Sequence, residues 1–96
     1  MTTDFNTPVL LLVFNRPEKT SRVFQSIREI RPKQLFIAAD GPRPNRPDDQ
    51  KNCAQVLEIV SNIDWPCSVK TLYRTANLGC KDAVYKAITW FFSNVE

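Results

Sequence analysis

Two stretches of the chain are apolar without a break. Val9-Leu10-Leu11-Leu12-Val13-Phe14 follows Pro8, and Leu35-Phe36-Ile37-Ala38-Ala39 runs into Asp40-Gly41-Pro42. A short continuous run bounded by turn residues predicts a strand buried on both faces. Gly41 is read as permitting the turn that ends the second run, and Pro42 cannot continue a central ladder. A third stretch, residues 67–73, is mixed. Val69, Thr71, Leu72 and Tyr73 favour a strand, but one nearer a sheet edge.

Between and after these runs the apolar spacing changes to that of helices. Val23, Phe24, Ile27 and Ile30 make one stripe, which predicts a helix over residues 17–31. Asn15 followed by Glu18 resembles a capping box, Pro17 suits a first turn, and Pro32 stops the helix. A second helix starts at Asn45 or Pro47, with Asp48 and Asp49 as favourable charge in its first turn. Its buried stripe is Cys53, Val56, Leu57 and Val60, flanked by Ile59 and Ile63, and Asp64-Trp65-Pro66 closes it. A third helix follows Gly79, with Cys80, Ala83, Val84, Ala87, Ile88 and Phe91 on one face, widened by Trp90 and Phe92. Residues 1–7 read as a loose polar lead-in. The order βαβαβα predicts a three-layer, Rossmann-like α/β unit with a mainly parallel sheet and right-handed crossovers.

A chain of 96 residues makes one small domain or part of one. Such a chain buries about 60–65% of its unfolded surface, so its core is thin. The net charge of +3 is mild and scattered, which does not argue for nucleic acid. Cys53, Cys67 and Cys80 are far apart and form no CxxC pair, and the chain has no histidine, so zinc is not expected. They read as reduced, mostly buried thiols of a cytosolic protein. Without histidine, a general base must be a carboxylate or lie outside this chain. The longest apolar run is too short to span a bilayer, and Met1-Thr2-Thr3-Asp4 lacks the basic start of a signal peptide. A cytoplasmic location is expected, with peripheral membrane association compatible.

The predicted topology brings three loops to one edge of the sheet, where open α/β sheets bind ligands. The loops are Phe14-Asn15-Arg16-Pro17, Asp40-Gly41-Pro42-Arg43 and Arg74-Thr75-Ala76-Asn77-Leu78-Gly79. Asp40 is either a ligand contact or the cap of the following turn. Phe14 is either core or a platform for a planar base. Arg16 and Arg74 suit a diphosphate, and the start of the third helix offers unpaired N–H groups to an anion. Asn77 and Gly79 serve equally as turn residues. Two glycines are too few for a GxGxxG or Walker A loop, which disfavours a Rossmann dehydrogenase and a P-loop NTPase.

These three segments in order resemble GT-A-fold glycosyltransferases of the family 2-like group, and also the N-acetylglucosaminyltransferase I type. Residues 8–14 with Asn15-Arg16-Pro17 resemble their first strand and loop. Residues 35–39 with Asp40-Gly41 resemble their second strand and its nucleotide-binding acid, and residues 74–79 resemble their Asn-x-Gly segment. The likeness spans residues 8–92. It implies a nucleotide site made of Phe14, Asn15, Arg16, Asp40, Gly41, Arg74, Asn77 and Gly79. Phe14 would contact the uracil or equivalent base and Asp40 the base or ribose, so the implied partner is a nucleotide sugar, expected to be UDP-linked. Arg16 and residues 74–79 would lie near the sugar diphosphate. It further implies transfer of sugar to a hydroxyl acceptor with a divalent manganese or magnesium ion. No Asp-x-Asp motif occurs here. The resemblance therefore implies the nucleotide-binding half of a longer enzyme, ending before the Asp-x-Asp strand. By that reading the chain alone does not transfer sugar, and Trp90, Phe91 and Phe92 stay partly exposed, which favours association. The alternative is a free-standing α/β module that binds a ligand or partner and catalyses nothing.

Overall fold

The computed structural model describes residues 6–95; the expected lead-in over residues 1–5 lies outside them. The elements are β1 (Val9–Val13), α1 (Pro17–Ile30), β2 (Gln34–Ala39), α2 (Pro47–Val60), β3 (Ser68–Tyr73) and α3 (Cys80–Asn94). The sheet is three-stranded and parallel in the order β1-β2-β3. This is the predicted βαβαβα unit.

Strand β2 is the centre. Leu35 and Ile37 are wholly buried and Phe36, Ala38 and Ala39 nearly so, as an uninterrupted apolar run requires. Successive side chains alternate between faces. Leu35 and Ile37 join Leu11 of β1, Phe24 and Ile27 of α1, Val60 of α2 and Trp65 in the main core. Phe36 points the other way, with its ring edge-on to Trp90 and Phe91 of α3 at 5.4 and 5.0 Å. Helices α1 and α2 therefore cover one face and α3 the other.

Several expectations change. Among the described residues strand β1 is an edge strand, not a fully buried one. Leu11 is buried, but Leu12 is 41% exposed. Its sequence is as apolar as that of β2, so hydropathy could not separate edge from centre. Strand β3 is the other edge and is largely exposed, as its mixed sequence predicts. In α1, Val23 and Ile30 are about half exposed, and Thr20 takes a buried place beside Phe24 and Ile27. No capping box forms: Arg16 is the N-cap and makes no side-chain cap bond, while the Asn15 side chain is used elsewhere. In α2, Cys53, Val56 and Val60 are buried and Leu57 is only partly so. Trp65 does more than close α2. It is 5% exposed, packs near Phe24, and its Nε1–H donates to the Pro32 carbonyl at 2.8 Å. In α3 only Ala87 is buried. Cys53 is buried, Cys67 half-buried and Cys80 exposed, so the thiols are not uniformly buried. No helix among the described residues is long and apolar enough to cross a membrane.

Candidate functional site at the carboxyl edge of the sheet

The parallel ladders end together. The Asp40 N–H donates to the Val13 carbonyl and the Arg74 N–H to the Ala39 carbonyl. Three chain segments thus leave the sheet side by side, because parallel strands in register finish on one edge. Between them and α3 opens a cleft of about 370 Å³. That lies within the range of small-ligand pockets. Its floor is Leu12, Ala38 and Leu72, and its far wall is Cys80, Ala83 and Val84 of α3. Phe14, Asp40, Arg43, Arg74, Asn77 and Gly79 ring the mouth.

Asp40 holds the third loop in place. One carboxylate oxygen accepts from the N–H groups of Gly41 (2.8 Å) and Leu78 (2.9 Å). The other accepts from Asn77 Nδ2 (3.1 Å) and the Gly79 N–H (3.2 Å). A carboxylate has about four acceptor positions, so all are engaged within the protein. Asn77 Nδ2 also donates to the Gly41 carbonyl at 2.9 Å. Only the Gly41 bond caps the turn that follows Asp40; the other three tie the third loop to the end of β2.

The two glycines serve different needs. A Cβ on Gly41 would lie 2.7–2.8 Å from backbone atoms of Thr75 and Ala76. The third loop sits directly on Gly41, so beyond the turn expected of it this position needs glycine for close approach of the backbone. Gly79 has φ 91° and ψ 154° as the N-cap of α3. Side-chain-bearing residues rarely adopt that conformation.

A second network braces the other side of the mouth. Asp49, in the first turn of α2, is 2% exposed. Its carboxylate accepts from Arg43 Nε at 2.6 Å, Arg43 Nη2 at 3.0 Å, the Arg43 N–H at 3.1 Å and Asn15 Nδ2 at 3.0 Å. The Arg43 bonds, aided by Asn15 and opposed by burial, hold the Asp49 carboxyl well below the usual carboxylate range. The same partner raises the Arg43 pKa further. Arg43 also lies over the Phe14 ring, 5.6 Å from its centroid. One face of Phe14 is thus already covered. Asp49 reads in sequence as favourable charge in the first turn of a helix, and Arg43 as one arginine in a proline-rich loop. Nothing local reveals their pairing, since it depends on how the loop folds back over six residues.

Of the sequence candidates, Phe14, Asp40, Arg74, Asn77 and Gly79 meet at the cleft. Gly41 is buried under the third loop. Asn15 and Arg16 do not line it; they border a smaller groove beside β1 with Lys19 and Val23. Arg43 and Cys80 join the cleft without having been candidates. Arg74 has no hydrogen-bond or ion-pair partner for its guanidinium among the described residues. Beside it, the first-turn N–H groups of α3 have no intrahelical acceptor.

No protein-family model matches the chain, and no curated protein or solved structure matches it either. The site residues must therefore be read by their chemistry. The two carboxylates bordering the site, those of Asp40 and Asp49, are already engaged by N–H donors of the protein. No group of three or more metal-binding side chains occurs among the described residues.

Proposed function

We propose that the chain is the nucleotide-binding part of a glycosyltransferase that takes a nucleotide-diphospho-sugar donor and passes the sugar to a hydroxyl acceptor. The observation that supports this reading is the unpartnered Arg74 guanidinium at the mouth of an apolar cleft, beside the open N–H end of α3. Arginine matches the fork of two phosphate oxygens, and a helix N-terminus favours the same charge. The floor of small and aliphatic side chains suits a flat base, with the remaining face of Phe14 beside it.

In this reading Asp40 is a positioning residue. Its carboxylate holds Asn77, Leu78 and Gly79, which sets where α3 begins relative to Arg74. Arg43 and Asp49 hold the Phe14 side of the mouth in the same way. The chemistry of transfer, including any divalent ion, falls to groups outside this set.

Calorimetry with uridine diphosphate, uridine and inorganic phosphate tests the reading. We expect measurable binding of the diphosphate and a loss of about 1.5–3 kcal/mol in Arg74→Ala, the range for a hydrogen bond to a charged group. Absence of binding by uridine, adenosine and guanosine diphosphates alike would leave the non-catalytic α/β module as the better reading.

A further inference from the structure

Each polar side chain at the mouth of the cleft can be followed to its partners. Asp40 accepts four bonds from the protein, which fills its roughly four acceptor positions. Asp49, behind Arg43, is filled in the same way by Arg43 and Asn15. Asn77 uses both Nδ2 protons, on the Asp40 carboxylate and the Gly41 carbonyl. Those two acceptors fix the amide and leave its Oδ1 to accept. Apart from the weak Cys80 thiol, the side chains lining the cleft therefore offer a ligand the guanidinium groups of Arg43 and Arg74 and the Asn77 Oδ1. They offer no carboxylate with a vacant position.

The two arginines differ. Arg74 has no partner among the described residues, so it is a free charge that a phosphate can collect. Arg43 is fixed. Its Nε and Nη2 donate to Asp49 at 2.6 and 3.0 Å, its backbone N–H to the same carboxylate at 3.1 Å, and its guanidinium lies over the Phe14 ring. Asp49 is itself buried and tied to Asn15, so the guanidinium is held at both ends of the pair. Its charge is compensated by Asp49, which leaves it as a directed donor. Nη1 is the nitrogen of Arg43 with no partner in the protein, and the side chain remains 41% exposed.

We infer that Arg43 is the residue that selects the base, by donating from Nη1 to a carbonyl oxygen on the base edge remote from the ribose, and that the base so selected is a 4-keto pyrimidine, uracil. The inference rests on the nucleotide reading above, in which Arg74 and the start of α3 take the diphosphate and the open face of Phe14 takes the base. Arg43 covers the opposite face of that ring, so it stands at the base end of the cleft. Uracil presents O4 to the Arg43 donor and has a single ring N–H, for which the Asn77 Oδ1 is vacant. Cytosine and adenine carry an amino group at the corresponding edge, which sets donor against donor. Guanine has the carbonyl, but its neighbouring N–H and amino groups need acceptors that the filled Asp40 and Asp49 do not supply. The base contact that the resemblance gave to Asp40 thus passes to Arg43.

Uridine and cytidine diphosphates differ only in the base and share ribose and phosphates, so calorimetry with the two on the 96-residue chain carries the test. We expect the uridine compound to bind tighter by about tenfold or more, as one well-made contact to the right base provides. Arg43→Lys keeps a cation for Asp49 and loses the second donor. Folded by circular dichroism, it should bring the two affinities within about threefold, with uridine diphosphate weakened and cytidine diphosphate unchanged. If Arg43 only props Phe14, both ligands weaken together, the ratio stays, and the inference falls. 4-Thiouridine diphosphate, whose sulfur is a poorer acceptor, tests the natural chain without a substitution. It should bind several-fold more weakly than uridine diphosphate, and equal affinity would overturn the inference. Equal or tighter binding of cytidine diphosphate by the natural chain would also overturn it, while leaving the nucleotide reading in place. Binding of none of the nucleoside diphosphates would remove that reading and the role of Arg43 together.

Discussion

Gly41 and Gly79 look alike in the sequence and differ in what their replacement does. Gly41→Ala places a methyl group against the Thr75–Ala76 backbone, which has no flexible side chain to give way. It should destabilise the fold by about 1–3 kcal/mol in chemical denaturation, the usual range for overpacking. Gly79→Ala meets nothing within 4 Å, but its φ of 91° is strained for alanine. It should cost about 1–3 kcal/mol through the backbone alone. Because Gly79 also opens α3, it should disturb ligand binding more than Gly41→Ala does for equal loss of stability.

Asp49 gives a pH signature at the same scale. Its folded pKa lies below the unfolded value of 3.8. The folded state thus holds the proton more weakly, and the stabilisation is fully present above that value. It is lost as pH falls below about 4. Asp49→Asn should be less stable than the natural chain at neutral pH, and the gap should narrow as acid is added. Thermal unfolding between pH 7 and pH 2 checks both the sign and the window.

At the scale of elements, α3 is the least secured. It buries only Ala87 and depends on Phe36 for its aromatic packing against Trp90 and Phe91. Phe36→Ala should cost about 3–5 kcal/mol, the range for deleting a buried phenyl ring. Hydrogen exchange should show α3 opening before α1 and α2, which share the Phe24–Trp65 core. Equal opening of all three helices would show that α3 is more firmly held than its packing implies. The helices and strands themselves were legible, because strands buried in parallel sheets are continuous apolar runs and helices repeat near 3.6 residues. Which flank of each helix is covered was not. Val23 and Ile30 fit the helical stripe as well as Ile27 does, yet both are about half exposed, and Val23 borders a groove beside β1.

At the scale of the whole molecule, the cleft makes one cysteine a reporter. Cys80 is exposed at its wall, whereas Cys53 is buried and its thiol pKa is pushed up by that burial. A neutral-pH alkylating reagent should therefore modify Cys80 first and Cys53 only on unfolding. A uridine nucleotide seated in the cleft should slow the Cys80 reaction, and peptide mass mapping would follow both sites. An unchanged Cys80 rate at saturating nucleotide would place the ligand elsewhere.

The sequence by itself determined the kind and order of the elements, the parallel sheet and the edge where three loops meet. Local hydrophobic spacing and turn residues encode these directly. Only the tertiary structure decided that, among the described residues, β1 is an edge and β2 the centre, since their runs are equally apolar. It also decided that Asp40 holds the Asn77–Gly79 loop, and that Arg43 and Asp49 form a buried pair beside Phe14. Those facts depend on hydrogen bonds between residues brought together by folding. An acid's partners are set by where other segments place their N–H groups, and residue type and spacing do not carry that information.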